Sequence, residues 1–244
     1  MCWSEAASLG MVGIGAVATG VTMMRREPAA IPVALGYFTV MEALQFAGYQ
    51  VVDDCGSPAN RAITLLSYLH IAFQPFVINA FMMELVPAPV KARMRWLVFG
   101  ACAVSAGVML AQLLPIEALG RCRPGDILCG ARLCLVSGEW HIAWDIPYNG
   151  LLMKLGLPDM LASAFPTYLL TVFVLPLLYG AWRFVLFHAL AGPVLARLLT
   201  DNPNEMPAIW CLFSIGLVLL ALSPAIRRRF EVDDWALWPP AWRS

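Results

Sequence analysis

The sequence predicts an all-α integral membrane bundle of seven transmembrane helices, and three observations carry that reading. Of its 244 residues 60% are hydrophobic and only 13% charged, with a mean hydropathy of +0.72. Apolar stretches near the roughly 20 residues that cross hydrocarbon recur along the chain, joined mostly by short connections. Basic residues collect on alternate connections, the pattern of chains whose Lys and Arg stay on the cytoplasmic side. The net charge is zero, so nucleic acid has no electrostatic footing as a partner.

The spans run from Trp3 to Met24, Ala30 to Val51, Ala62 to Val86, Trp96 to Leu114, Leu161 to Ala181, Phe184 to Leu199 and Ala208 to Leu222. The third contains Pro75, which removes one helical hydrogen bond and frees the Ile71 carbonyl beside His70. The alternative is a plain membrane-helix kink. The sixth is short and holds His188 and Gly192-Pro193, which also suits a half-span or an interfacial helix. Only Gly180 to Arg183 separate it from the fifth. Pro207 starts the seventh, and Asp201 or Asn202 lies near the end of the sixth.

Arg25, Arg26, Lys91, Arg93, Arg95, Arg183 and Arg227 to Arg229 all fall on one side, which is therefore cytoplasmic, with the N-terminus out and the C-terminus in. The opposite side also carries some basic residues, among them Arg61, Arg121 and Arg132. No positive residue precedes the first span, so a cleaved signal peptide is not expected. Residues 1–229 form one domain in the lipid bilayer, with the outer loop 115–158 as a lid or interfacial segment. Residues 230–244, with Trp235, Trp238 and Trp242, form a cytoplasmic interfacial tail.

Ionisable residues inside hydrocarbon mark sites, because a charge at mid-membrane costs roughly 2.5–3.5 kcal/mol on insertion scales. Glu42 lies roughly 14 Å, and His70 roughly 13 Å, below the outer ends of their spans at 1.5 Å per residue. Gln45 and Tyr49 continue the Glu42 stripe, and Ser67 and Gln74 flank His70. The expected site is an outward-opening polar funnel between spans one, two and three, ending near Gln74-Pro75. The plainer alternative is a hydrogen-bonded Glu42–His70 pair that fixes helix packing.

Further candidates lie on the outer side. Cys55, Cys122, Cys129 and Cys134 are disulfide candidates with three pairings open, and they lack the Cys-x-x-Cys spacing of a zinc knuckle. Cys102 and Cys211 read as small packing residues. His141 and Asp145 are neighbours if their segment is helical, able to hold a metal or orient an imidazole; the alternative is a Trp-anchored interfacial helix. With Met1 removed, Cys2 offers an amine and a thiol that chelate a soft or borderline metal. The metal candidates are thus Cys2, Glu42, His70, His141 and Asp145, with zinc or copper as the ion.

Met1 to Ser4, Glu42 in the second span, His70 to Pro75, and Asn202 to Cys211 together resemble an uncharacterised family of multi-span membrane proteins of bacteria and some large DNA viruses. The resemblance covers most of the chain. It implies a place in a bacterial inner membrane and draws attention to Asn204 and Glu205 beside Cys2, Glu42, His70 and Gln74, without an activity.

The function expected is the binding, sensing or transport of a small solute, proton or metal ion. One alternative is an intramembrane metal-dependent lipid hydrolase, although the last span has no histidine. Another is electron transfer through a single b-type haem held by His70 and His188. Retinal is excluded, because the only lysines, Lys91 and Lys154, lie outside the seventh span.

Overall fold

The computed structural model describes residues 4–158, 165–211 and 213–239. Most of them are helical. Helix α1 (Glu5–Met24) starts where the Ser4 hydroxyl accepts the Ala7 amide, and it ends at Arg26, which adopts φ 55°. Helix α2 (Ala30–Tyr49) lies along α1, and α3 (Pro58–Met82) opens on a Ser57 cap with proline at its first position. Helix α4 (Ala88–Gln112) returns beside α3. Pro75 sits inside a continuous α3.

The second half is more broken. After a short α5 (Leu151–Lys154) come α6 (Pro166–Leu178) and α7 (Trp182–Leu199), followed by α8 (Met206–Trp210), α9 (Phe213–Leu222) and a terminal turn α10 (Pro224–Arg227). Helices α6 and α7 each contain a π-helical turn, Leu170–Val174 and Leu190–Val194. The first has a local cause. The Leu175 amide bonds back to Leu170, and Pro176 has no amide to offer, so the Thr171 carbonyl loses its helical donor. The side chain of Asn79 replaces that donor, giving Nδ2–H to the Thr171 carbonyl at 3.0 Å and to the Pro75 carbonyl at 2.8 Å. Tyr179 completes the hub by donating to Asn79 Oδ1 at 2.9 Å.

Helices α1, α2, α3, α4 and α7 are each long and apolar enough to cross a membrane; α6 is a shorter apolar helix. The pattern of burial agrees. Leu9, Ile14, Val17, Val40, Phe73, Val104, Leu186 and Leu219 point outward, while Ser8, Glu42, Gln45, Asn60, Thr64, Ser67, His70, Gln74 and Asn79 are buried. An apolar exterior over a polar-studded interior is what a lipid solvent selects. Thr22 and Thr39 satisfy their hydroxyls on carbonyls of their own helices.

The outer loop departs from the all-α expectation. Glu139 to Asp145 is not helical: β1 (Cys134–Ser137) and β2 (Ile142–Asp145) form an antiparallel hairpin pairing Cys134 with Asp145 and Ser137 with Ile142. In strand geometry residues four apart stand roughly 13 Å from one another, so His141 and Asp145 are not the one-turn neighbours that a helix would make them. Ile142 and Trp144 are β-favouring, and the apolar run they make with Ala143 is wholly buried. At the other end of the molecule, Trp238 is buried against Gly180 and donates to the Tyr179 carbonyl, while Trp235 stacks on Trp182. The Arg227–Glu27 ion pair ties α10 to the α1–α2 connection. Trp242, with the rest of the tail beyond 239, lies outside the described residues.

Candidate functional site

The cap formed by the hairpin and its flanking loop is held by two buried side chains, Asn60 and Glu205, that bond to its backbone. Asn60, at the start of α3, donates Nδ2–H to the Leu135 carbonyl at 2.9 Å and accepts the Leu135 amide at 2.9 Å, pairing with β1 as a strand would. Asp53 takes the Ser137 amide and hydroxyl at 2.8 and 2.6 Å. The disulfide Cys55–Cys134 closes the same seam, and Cys122–Cys129 closes the loop beside it.

Glu205 provides the second clamp. Its carboxylate is fully buried and accepts the amides of Glu139, Trp140 and His141 and the Thr200 hydroxyl, the last at 2.6 Å. Gly138 permits this, because a Cβ there would lie 2.6 Å from the Glu205 carboxyl carbon. Asn204 completes the junction by donating to the Cys129 carbonyl and to Asp145, at 2.9 and 2.8 Å. The segment Asn202 to Glu205 therefore joins the α7–α8 turn to the cap. His141 belongs to the same layer, with its Nδ1 accepting the Ile142 amide at 2.7 Å, and burial pushes its imidazole down to about 3.

Within the bundle, the expected site residues separate into three neighbourhoods. His70 is locked to α2 by a reciprocal pair: its Nε2 donates to the Tyr37 carbonyl at 2.7 Å, and the Tyr37 hydroxyl donates to the His70 carbonyl at 2.5 Å. The two rings stack at 3.8 Å. Ser67 is buried one turn away, and its hydroxyl has no hydrogen-bond partner among the described residues.

Glu42 is 2% exposed and faces α9, with Ser214 3.5 Å from one carboxyl oxygen and no partner at the other among the described residues. It is not bonded to His70. Gln45, one turn outward on α2, lies beside Cys211, the residue that follows α8. Met11, Gly15, Thr39 and Ser214 line a cavity of about 10 Å³ at Glu42.

Gln74 belongs to the third neighbourhood, a chamber of about 140 Å³ between α3, α4, α6 and α8, roofed by Ile127 and Leu128 of the cap. Its walls are apolar apart from Gln74, Tyr168, Trp210 and Cys211. The Tyr168 hydroxyl donates to Gln74 Oε1 at 2.7 Å, which leaves the Gln74 amide nitrogen without a protein partner among the described residues. Trp210 Nε1–H is given to His188 Nε2 at 2.9 Å, so that ring nitrogen carries no proton. Gly192, in the π turn of α7, lets the indole approach: a Cβ there would stand 2.2 Å from Trp210 Nε1.

Residues 6–231 match the model of a family of unknown function (DUF5765). The chain belongs to that family. No curated protein and no solved structure matches it. The matched span includes the cap, both clamps and all three interior neighbourhoods, so the whole arrangement falls within one family unit. Among the described residues no three of His, Cys, Asp and Glu gather as metal ligands, and Cys2 lies outside those residues.

Sequence reading passed over Tyr37, Asn60, Asn79, Tyr168 and Ser214. Asn79 and Ser214 carried the same signal as Glu42, a polar side chain deep in an apolar span. Asn60 and Tyr168 become informative only once β1 and the α3–α6 contact are known.

Proposed function

We propose that this family member is a seven-span membrane protein that binds a small neutral molecule in the chamber beneath the disulfide-braced cap. The ligand class is an apolar body about the size of one ring, bearing one hydrogen-bonding group. The observation that carries this reading is the chamber itself, apolar on its walls, with the Gln74 amide offered into it. Its volume of about 140 Å³ is close to that of an apolar cavity of about 150 Å³ that stays dry and takes up benzene. Pockets that pair apolar walls with a few placed polar groups are the usual form of a small-molecule site.

The seven-span count adds α6 and the α8–α9 stretch to the five long helices. The orientation, N-terminus out, draws support from both ends. Two disulfides lie on the cap side, as an oxidising compartment favours, and Arg25, Arg26, Lys91, Arg93, Arg95, Arg183 and Arg227 to Arg229 lie on the other.

Benzene is the test probe. Titrated into the purified protein in nanodiscs of one synthetic lipid, it raises the melting temperature of the wild type, and it does so less in Leu169→Trp, whose added ring fills the chamber. An identical response in both proteins would overturn the reading.

A further inference from the structure

Three buried groups lie outside the chamber's own chemistry: His70, His188 and Glu42. Both histidines have a committed Nε2, one on a carbonyl and one on an indole. Glu42 is different. Its carboxyl oxygens have one long contact with Ser214 between them, at a distance where an O–H···O bond contributes little. A carboxylate without donors or a counter-charge is among the least tolerable groups in hydrocarbon, whereas a protonated carboxyl needs only one acceptor for its O–H.

The space beside Glu42 supplies such an acceptor. The cavity of about 10 Å³ is at the lower limit for one water, which needs roughly 10–15 Å³ and two or more polar neighbours. Thr39 Oγ1 and Ser214 Oγ provide those neighbours. Thr39 already donates to the Leu35 carbonyl, so its oxygen is left to accept. Gly15 closes the cavity from α1, where a Cβ would fall 2.2 Å from Thr39 Oγ1.

We propose that Glu42 is a proton-binding site of the membrane interior, a carboxyl that holds an exchangeable proton on one buried water between Thr39 and Ser214. Around it α1 presents Met11 and Gly15 and α9 presents Ser214 and Val218, none of which titrates. The titratable groups near it are the Cys211 thiol and, farther outward on α2, the Tyr49 phenol. Cys211, with Gln45 beside it, lines the chamber, which brings the chamber wall close to Glu42. The proposal stands whether or not the chamber takes a ligand.

The experiment is infrared spectroscopy of the full chain in vesicles at neutral pH, in H₂O and in D₂O. The wild type should show the carbonyl stretch of a protonated carboxylic acid, moving down in D₂O, and folded Glu42→Gln should lack it. Ser214→Ala, which removes one of the two hydroxyls that hold the water on the carboxyl, should keep the band and shift it upward. It also tests the assignment if Glu42→Gln does not fold. Absence of the band from the wild type, its persistence in folded Glu42→Gln, or a band unmoved by D₂O or by Ser214→Ala would each overturn the proposal.

Discussion

Glu205 and Glu42 are both buried glutamates, one at the cap and one in the bundle, and their surroundings differ in kind. Glu205 accepts three backbone amides and the Thr200 hydroxyl. Glu42 has a single long contact and an orphan oxygen. The first carboxyl is consumed by holding the fold together, and its acceptor sites are occupied. The second is left under-satisfied in the solvent least forgiving of that condition, which is where function rather than stability explains a residue. The contrast belongs to these two carboxyls and not to whole regions: among the described residues the cap also holds buried polar atoms without a hydrogen-bond partner, Trp144 Nε1 and Asn204 Oδ1, as the bundle interior holds Ser67 Oγ and His70 Nδ1.

Losing the Glu205 carboxylate should therefore be the most damaging change. Glu205→Ala leaves three amides without their acceptor, at roughly 1–3 kcal/mol each, for a loss of about 5 kcal/mol in denaturant unfolding monitored in detergent. Losing the Cys55–Cys134 bond, 79 residues apart, should cost about 4 kcal/mol on the loop-closure estimate, against about 2 for Cys122–Cys129, 7 apart. Serine pairs at each bridge measure the ratio, and equal losses would blur the distinction between the two seams.

The cap should also respond to acid. Burial holds the folded His141 imidazole down at about 3, against 6.5 for the free side chain. Above the upper value neither state binds the proton and stability is flat. Between the two values the unfolded cap takes up a proton that the folded one refuses, so stability falls as pH drops, by about 1 kcal/mol per pH unit. Unfolding curves across that window should flatten in His141→Gln.

In the bundle the effects shrink. Asn79→Ala removes the donor to the carbonyl stranded by Pro176, and it should cost about 1–2 kcal/mol, since hydrogen bonds between membrane helices average well under 1 kcal/mol each. A loss larger than that of Glu205→Ala would reverse the comparison.

How far the sequence carries this account follows from the length of its signals. Spans two to four are legible because long apolar runs leave few alternatives: α2 begins at the expected Ala30, whereas α4 begins at Ala88 and takes Lys91, Arg93 and Arg95 into the helix ahead of the expected Trp96. The interior burial of Glu42, His70, Gln45 and Gln74 is legible for the same reason. The hairpin was hidden because Trp140, Trp144 and Asp145 suit an amphipathic helix as well as a strand, and its register depends on Asn60, 75 residues away. The role of Glu205 was hidden because three of its four donors are backbone amides, which have no sequence signature. A single shared site for Glu42 and His70 was inferred from equal depth, and depth fixes a level along two helices without fixing which neighbours each residue faces.

The most direct test sets the two glutamates side by side. Glu205→Gln and Glu42→Gln make the same chemical change, and both are followed by thermal unfolding of the full chain in one lipid at neutral pH. Glu205→Gln should melt well below the wild type, because an amide nitrogen would face donors. Glu42→Gln should melt within about 1 kcal/mol of it, since the amide is a neutral group of the same shape as the protonated carboxyl it replaces. If Glu42→Gln instead destabilises the chain as much as Glu205→Gln, Glu42 is a structural residue and the contrast between the two carboxyls fails.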